Sequence, residues 1–331
     1  MIIETRAFAR AGLLGNPSDG YYGKTISIIV RNFGAHISLY ETPELQIEPM
    51  DQDLNIYKNI HDLVESVNLT GYYGASRLVK AAIKKFAEYC IDHQIKFNGK
   101  NFTIRYHSSI PRQVGLAGSS AIVTATFRAL MKFYNVNIPH EILPSIILAT
   151  EVEELGINAG LQDRVIQVYE GCVYMDFNRK YLDKKGYGIY EKIDPRLLPN
   201  LYIAYKTDLG KVSGTVFNDL RSRYDKGDEQ VRISLNRIAS LAEEGKALIM
   251  NKNYRQLSKL INENFDERSR IMNISDSNRE LVETARSCGA SAKFTGSGGS
   301  IIGIYENNDM LKKLIIELKT IHARVIKPHI F

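Results

Sequence analysis

The sequence predicts an α+β chain of two domains, and three observations carry that prediction. Its 331 residues, 44% hydrophobic and 24% charged, suffice for two ordinary domains whose cores need no covalent staples. Strand-like and helix-like segments do not alternate strictly, as a doubly wound parallel sheet would require. The stretch from Asp183 to Asn200 is rich in Lys, Gly and Pro, with Pro195 and Pro199, and reads as a boundary between residues 1–195 and 196–331.

The first third reads as strands and turns. Thr25–Val30 is β-branched, Ala35–Tyr40 follows Gly34, and Leu45–Pro49 is a third short strand. Helices are expected over Ile56–Ser66 and Gly74–His93. Phe102–His107 alternates like a half-buried strand and leads, through a proline and glycines, into a helix over Ser119–Tyr134. Another helix is expected over Ile142–Leu155, then a hairpin of Val165–Val168 and Cys172–Phe177 turning at Glu170–Gly171. Beyond the boundary come a strand (Leu201–Tyr205) and helices over Asp228–Met250, Tyr254–Ile271 and Ser277–Cys288. The chain closes as strand, glycine loop, strand, helix and strand: Ser291–Thr295, Ile301–Tyr305, Met310–Ile321 and Arg324–Pro328.

Composition removes several classes of function. The cysteines Cys90, Cys172 and Cys288 are far apart and form no C-x-x-C pair, so neither a disulfide framework nor a zinc site is signalled. The net charge of +6 is modest and its basic residues are dispersed, against a nucleic-acid partner and compatible with a small anionic substrate. No apolar run approaches the roughly 18–20 residues that span a bilayer. Glu4 and Arg6 stand where an export signal would need its apolar stretch, so a cytoplasmic protein without a membrane partner is expected.

The strongest local signal is Ile110–Ala125, I-P-R-Q-V-G-L-A-G-S-S-A-I-V-T-A. Gly115 and Gly118 let the backbone turn sharply and approach a ligand. Ser119, Ser120 and Ala121 open a helix whose unpaired N–H groups and positive dipole end suit phosphates. A serine hydroxyl there would also suit Mg²⁺. The competing reading is a strand–turn–helix with serine as N-cap. The near-buried character of A-I-V-T-A-T-F favours the phosphate reading. Ser18–Thr25 only approximates G-x-x-x-x-G-K-[ST], with serine at its first glycine and a strand following. A second loop, Lys293–Gly299 (K-F-T-G-S-G-G), lies between strands. Either it is a tight hairpin or it presses its backbone toward the first loop's ligand.

Two carboxylates stand out. Glu151 falls within the stripe Leu148, Val152, Leu155 of its expected helix, while Glu153 points away. A carboxylate on an apolar face must be paired, protonated or on a metal, unless it reaches solvent at the edge. Asp163 lies in the turn-like G-I-N-A-G-L-Q-D-R, where a turn former competes with a catalytic acid. In Arg10–Asp19, Asn16 and Asp19 suit sugar-like hydroxyls, although Asn-Pro-Ser-Asp also reads as an ordinary turn.

These pieces, in this order, resemble the GHMP family of small-molecule kinases. Pro111–Ala121 matches that family's P-x-x-x-G-L-x-S-S-A, Arg10–Asp19 resembles its first motif, and Thr295–Gly299 its third. Within the family the chain is most similar to the plant-type glucuronokinase branch. The resemblance is carried by Ala9–Asp19, Ile110–Val123, Glu154–Tyr169, Ser240–Lys246, Asn264–Asp266 and Lys293–Gly299. It implies an S5-like N-terminal domain and a ferredoxin-like C-terminal domain. Ala117 stands where related loops often have Gly or Ser. Asn16–Pro17 replaces the Glu-His of the galactokinase-like motif, against galactose recognition of that kind.

The implied activity is ATP-dependent phosphorylation of glucuronic acid at its anomeric oxygen. Another sugar or a heptose derivative as acceptor, and a non-catalytic sensor of sugar and nucleotide, are the alternatives. The resemblance places ATP phosphates at Pro111 and along Gly115, Leu116, Ala117, Gly118, Ser119, Ser120 and Ala121. It assigns Mg²⁺ to Ser120, or Ser119, and Glu151. Asp163 is the expected base or orienting charge at the acceptor hydroxyl, with Arg10 keeping it ionised and stabilising transferring charge. Asn16, Pro17, Asp19, Gly296, Ser297 and Gly298 are expected at the sugar. A sugar acid also needs a cation, for which Arg164 is the first candidate and Lys211 the second.

Overall fold

The computed structural model describes residues 2–48, 55–70, 76–207 and 216–331. The chain forms two compact units, each assembled from separated segments. The first comprises Met1–Ala9, Phe33–Ile110 and Ala117–Val168; the second comprises Arg10–Asn32, Pro111–Leu116 and Tyr169–Phe331. This division differs from the one expected at residue 195. Strands β1 (Ile2–Leu14) and β2 (Lys24–Thr42) each begin in one unit and end in the other.

In the first unit, β3 (Leu45–Ile47), β4 (Asn55–Tyr57) and β5 (Asn101–Ser108) join the far half of β2 in the order β4-β3-β5-β2. β5 runs antiparallel to β2 from Ala35 opposite Ser108 to Thr42 opposite Asn101, and β3 runs parallel to β5. Gly34, which stands between the expected segments Thr25–Val30 and Ala35–Tyr40, lies inside the single strand β2. A Cβ there would stand 3.3 Å from both the Ala7 carbonyl and the Phe8 ring, so the glycine marks a close backbone approach. The helices are α1 (Ile60–Thr70), α2 (Arg77–Asp92), α3 (Gly118–Tyr134), α4 (Leu143–Ala149) and α5 (Gln162–Tyr169). Between α2 and α3, Phe86 meets Phe127 edge-on at 6.2 Å and stacks on Tyr134 at 5.9 Å. Such ring pairs contribute about 0.5–1.5 kcal/mol each beyond their buried area.

Two expectations fail here. Val165–Val168 is not a strand but part of α5, all of whose residues from Arg164 to Val168 are buried. A short element buried all round shows neither period, and its β-branched residues then mislead. The turn at Glu170–Gly171, both at positive φ, therefore joins a helix to a strand. The single helix expected over Ile142–Leu155 stops at Ala149 and passes into a π turn over Thr150–Glu154.

In the second unit, β6 (Cys172–Asp176) pairs antiparallel with the start of β2 and with β7 (Ile189–Ile193). The short helix α6 (Arg179–Lys185) and β7 occupy the stretch whose Lys, Gly and Pro read as a boundary. A second, antiparallel sheet contains β8 (Leu201–Lys206), β9 (Lys293–Phe294), β10 (Ser300–Ile304) and β11 (Ala323–Ile326) in the order β11-β8-β10-β9. The first of these strands thus lies between the fourth and the third, and the second is outermost. That is the split βαβ order of a ferredoxin-like domain, as expected.

Helices α7 (Val216–Asp225), α8 (Glu229–Met250), α9 (Tyr254–Ile271) and α10 (Asp276–Ser287) precede β9, and α11 (Asn308–Thr320) precedes β11. Their inner faces bury Leu235, Ile238, Phe265, Leu281 and Leu314 in one core with Tyr202 and Ile301 of the sheet. Side chains of Asp228, Asn253 and Asn307 cap the starts of α8, α9 and α11, at about 1 kcal/mol each. Gly245 lets α8 close on Leu14, since a Cβ there would lie 2.2 Å from the Leu14 methyl. No described helix is long and apolar enough to cross a membrane.

Candidate active site

The first unit holds the helix that follows the glycine loop. Helix α3 starts after Ala117, which sits in the left-handed region at φ 61°, and no side chain caps it. Serine as N-cap is therefore not what is found: the Ser120 hydroxyl, buried, donates backward to the Ala117 carbonyl at 3.2 Å. Ser119 is exposed. The Ala117 carbonyl also accepts from Gln167 Nε2 at 2.9 Å, and the same amide donates to the Phe8 carbonyl at 3.2 Å. Gln167 of α5 thereby fixes the residue from which α3 departs.

The two carboxylates of interest lie in this unit as well. Glu151 is buried in the π turn, as its sequence position suggested, but its stripe neighbour Val152 is 42% exposed. The π turn rotates the register that a continuous α-helix would have kept. Arg164 donates to Glu151 Oε2 through Nε at 2.8 Å and through Nη2 as well. Burial pushes the Glu151 carboxyl above its ordinary range, and the Arg164 guanidinium pulls it back. Asp163 stands in the first turn of α5 rather than in a turn-like loop, with Oδ2 3.4 Å from Arg164 Nη1. Arg164 Nη1 also donates to the Gly160 carbonyl at 2.9 Å. Lys84 reaches Glu154 at 2.7 Å and Lys85 reaches Glu153 at 2.7 Å, holding the π turn from α2.

The second unit holds the start of the first glycine loop, the Arg10–Asp19 turn and the Lys293–Gly299 loop. Arg10 Nη1 donates to the carbonyls of Gly115 at 2.6 Å and Thr295 at 3.1 Å. The Gly115 carbonyl also accepts from Thr295 Oγ1 at 3.2 Å, and the Val114 carbonyl accepts from Ser300 Oγ. The two glycine loops are in backbone contact: a Cβ on Gly115 (φ 69°) would lie 2.8 Å from the Gly298 carbonyl oxygen. Ser297, between Gly296 and Gly298 in the second loop, is exposed.

Two cations that the sequence did not single out complete this cluster. Arg268 Nη1 donates to the Gly296 carbonyl at 2.8 Å, and Lys293 Nζ donates to the carbonyls of Phe294 and Gly12, each at 2.8 Å. Successive carbonyls of Phe294, Thr295 and Gly296 thus accept from Lys293, Arg10 and Arg268, all buried. Burial brings Arg268 down to about 10, opposed by Asp19 and reinforced by Arg10. Burial, then Arg268 and Arg10, hold Lys293 well below an ordinary lysine. Lys293 also donates to Asn16 Oδ1. Asn264 accepts from the Gly15 amide at 2.7 Å and donates to the Asn16 carbonyl at 3.1 Å. Asn16 is buried and precedes Pro17 through a cis peptide, with Asp19 half-buried beyond. The N-F-D run at Asn264 was the signal for this turn's support; nothing marked Arg268.

The expected residues therefore fall into two groups. Ala117, Gly118, Ser119, Ser120, Ala121, Glu151, Asp163 and Arg164 belong to the first unit. Pro111, Gly115, Leu116, Arg10, Asn16, Pro17, Asp19, Gly296, Ser297 and Gly298 belong to the second. Lys211 lies outside the described residues. Among the described residues no three His, Cys, Asp or Glu side chains form a metal-binding group.

Comparison with known proteins shows the family to which the chain belongs. Residues 77–171 match the family model for the GHMP kinases N terminal domain, and residues 246–319 that for the GHMP kinases C terminal. The chain belongs to the GHMP kinase family. It is 44% identical over 321 residues to glucuronokinase 1 of Arabidopsis thaliana, across 95% of this chain and 88% of that protein. It is 45% identical over 326 residues to the probable glucuronokinase 2 of the same plant, across 96% and 88%. The fold is shared with Lactococcus lactis galactokinase, solved with galactose, at a TM-score of 0.82 and 17% identity over 99% of this chain and 93% of that one.

Proposed function

We propose that the protein transfers the γ-phosphoryl group of ATP to the anomeric hydroxyl of D-glucuronate, giving glucuronate 1-phosphate and ADP. The observation that carries this reading is the near-full-length identity, 44% and 45%, to plant glucuronokinases.

The uncapped start of α3 supplies amide N–H groups and the positive end of a helix dipole to the nucleotide's phosphates. The backbone contact between the two glycine loops, locked by Arg10 and Ser300, keeps Gly115 in its left-handed conformation. Arg10 acts on the reaction through that loop.

The donor set fits Mg²⁺, which is usually held by one or two carboxylates plus phosphates and water. Glu151 offers Oε1, which takes neither bond from Arg164, and Ser120 offers a hydroxyl oxygen. When bound, the ion neutralises charge on the phosphates in a loose transition state. Asp163 accepts or orients the acceptor's proton. An anomeric hydroxyl is more acidic than an ordinary alcohol, so one carboxylate suffices. Asn16 and Asp19 hold sugar hydroxyls, Asn16 being fixed by Lys293 and Asn264.

The test is ATP consumption by the purified protein with Mg²⁺ and a panel of glucuronate, galacturonate, glucose, galactose, mannose and mevalonate, with phosphorus NMR of the product. Turnover of glucuronate with an anomeric phosphate signal is expected. Turnover confined to a neutral sugar would discard the substrate and keep the kinase; no turnover with any acceptor would discard the reading.

A further inference from the structure

We infer that Arg164 is a positioning residue for a divalent cation, its guanidinium fixing the Glu151 carboxylate by one oxygen so that the other is left for the metal. The inference rests on the kinase reading above and deepens it. It also replaces the expectation that Arg164 binds the carboxylate of a sugar acid.

The geometry is specific. Two nitrogens on one edge of the guanidinium, Nε and Nη2, converge on the same oxygen, Glu151 Oε2. A guanidinium bound fork-to-fork would take both carboxylate oxygens. Here Oε1 receives neither bond. The third nitrogen, Nη1, is anchored separately by the Gly160 carbonyl at 2.9 Å and lies 3.4 Å from Asp163 Oδ2. The plane of the guanidinium is therefore set by α5 and the backbone before it, and Glu151 must align to that plane.

Placement within the chain points the same way. The Arg164 side chain is 4% exposed and that of Glu151 is 1% exposed. A ligand carboxylate could take the Nε–Nη2 edge of this cation only by displacing Glu151, which would break a buried ion pair. Glu151 itself rides on a π turn that Lys84 and Lys85 hold through Glu154 and Glu153. Its backbone and its carboxylate are thus fixed from opposite ends. Groups that orient a metal's ligands in this way typically change metal affinity by about 10–100-fold when removed.

The experiment is calorimetric and needs no turnover, so it reads separately from whether glucuronate is the acceptor. ADP affinity is measured with Mn²⁺ and again with a chelator, and the ratio reports the metal's contribution to binding. Arg164→Lys keeps the buried charge but loses the two-nitrogen edge. Arg164→Gln keeps a single donor without the charge and serves if the first variant shows no cooperative melt. In whichever variant folds, the ratio should fall by about tenfold or more, while ADP affinity in chelator stays near the wild-type value. A ratio that remains at the wild-type value, or an equal loss with and without Mn²⁺, would overturn the assignment. A rise in KM confined to sugar acids, with the Mn²⁺ ratio intact, would return Arg164 to the substrate carboxylate.

Discussion

A Cβ placed on Gly296 would lie 2.4 Å from the carbonyl oxygen of Gly115, and 2.8 Å from both terminal nitrogens of Arg10. The two glycine loops therefore meet without room for a methyl group. Gly296→Ala should destabilise the protein by roughly 1–3 kcal/mol, the usual range for overpacking. It should also raise KM for ATP, because relief of the clash moves Gly115. Gly20→Ala is the control: the nearest atom to its Cβ is Arg221 Nη2 at 3.8 Å, and a change within about 0.5 kcal/mol is expected. Urea unfolding of both variants compares them; equal midpoints would show that the loop contact has slack.

Gln167 supports the start of α3 within the first unit. Its amide nitrogen serves the carbonyls of Ala117 and Phe8. Gln167→Leu matches its bulk and leaves both acceptors without that donor, at a cost of about 1–3 kcal/mol. Because Ala117 is where α3 begins, KM for ATP should rise more than KM for the sugar. Thermal melts and steady-state kinetics check this, and a proportional rise in both constants would reduce Gln167 to a general packing role.

Legibility in the sequence followed the range of the interactions involved. The first glycine loop was readable because strand, glycine pair and buried helix are contiguous, and Phe102–His107 and Tyr254–Ile271 lie where their patterns put them. The burial of Glu151 was readable from neighbouring residues, but its partner Arg164 was not, since a buried arginine in a short helix has no periodic signature. The helix around Asp163 was misread because its Val and Ile residues are buried on all sides. Arg10, Arg268 and Lys293 converge on consecutive carbonyls from three distant parts of the chain. No local pattern records such a convergence.

Lys293 gives a prediction in pH. Its amine is held well below 10.5 in the fold by burial and by Arg268 and Arg10. The unfolded chain keeps that proton up to about pH 10.4. Between the folded value and that limit, the unfolded state binds more protons, so folding becomes more favourable as pH rises. Lys293→Met removes this dependence. The difference in unfolding free energy between wild type and variant should therefore grow with pH up to about 10, by at most about 1.4 kcal/mol per pH unit. Urea midpoints from pH 7 to 10 provide the measurement, and a constant difference would mean that Lys293 stays charged throughout.

Asp163 carries the sharpest kinetic prediction. It occupies the first turn of α5 with an 18% exposed side chain, 3.4 Å from the guanidinium that also binds Glu151. Asp163→Asn preserves shape and removes the carboxylate proposed to accept the sugar's proton. A positioned base typically contributes about 10²–10⁴-fold, and the acidity of an anomeric hydroxyl places the expected loss of kcat at the low end, about 10²-fold. KM for ATP should change little, since the groups of α3 proposed to face the phosphates are untouched. Turnover near the wild-type rate would remove Asp163 from the reaction and leave charge stabilisation around the phosphates as the main catalytic device. A loss that is regained at high pH would instead identify Asp163 as the group that takes the proton, because the hydroxyl then ionises without help.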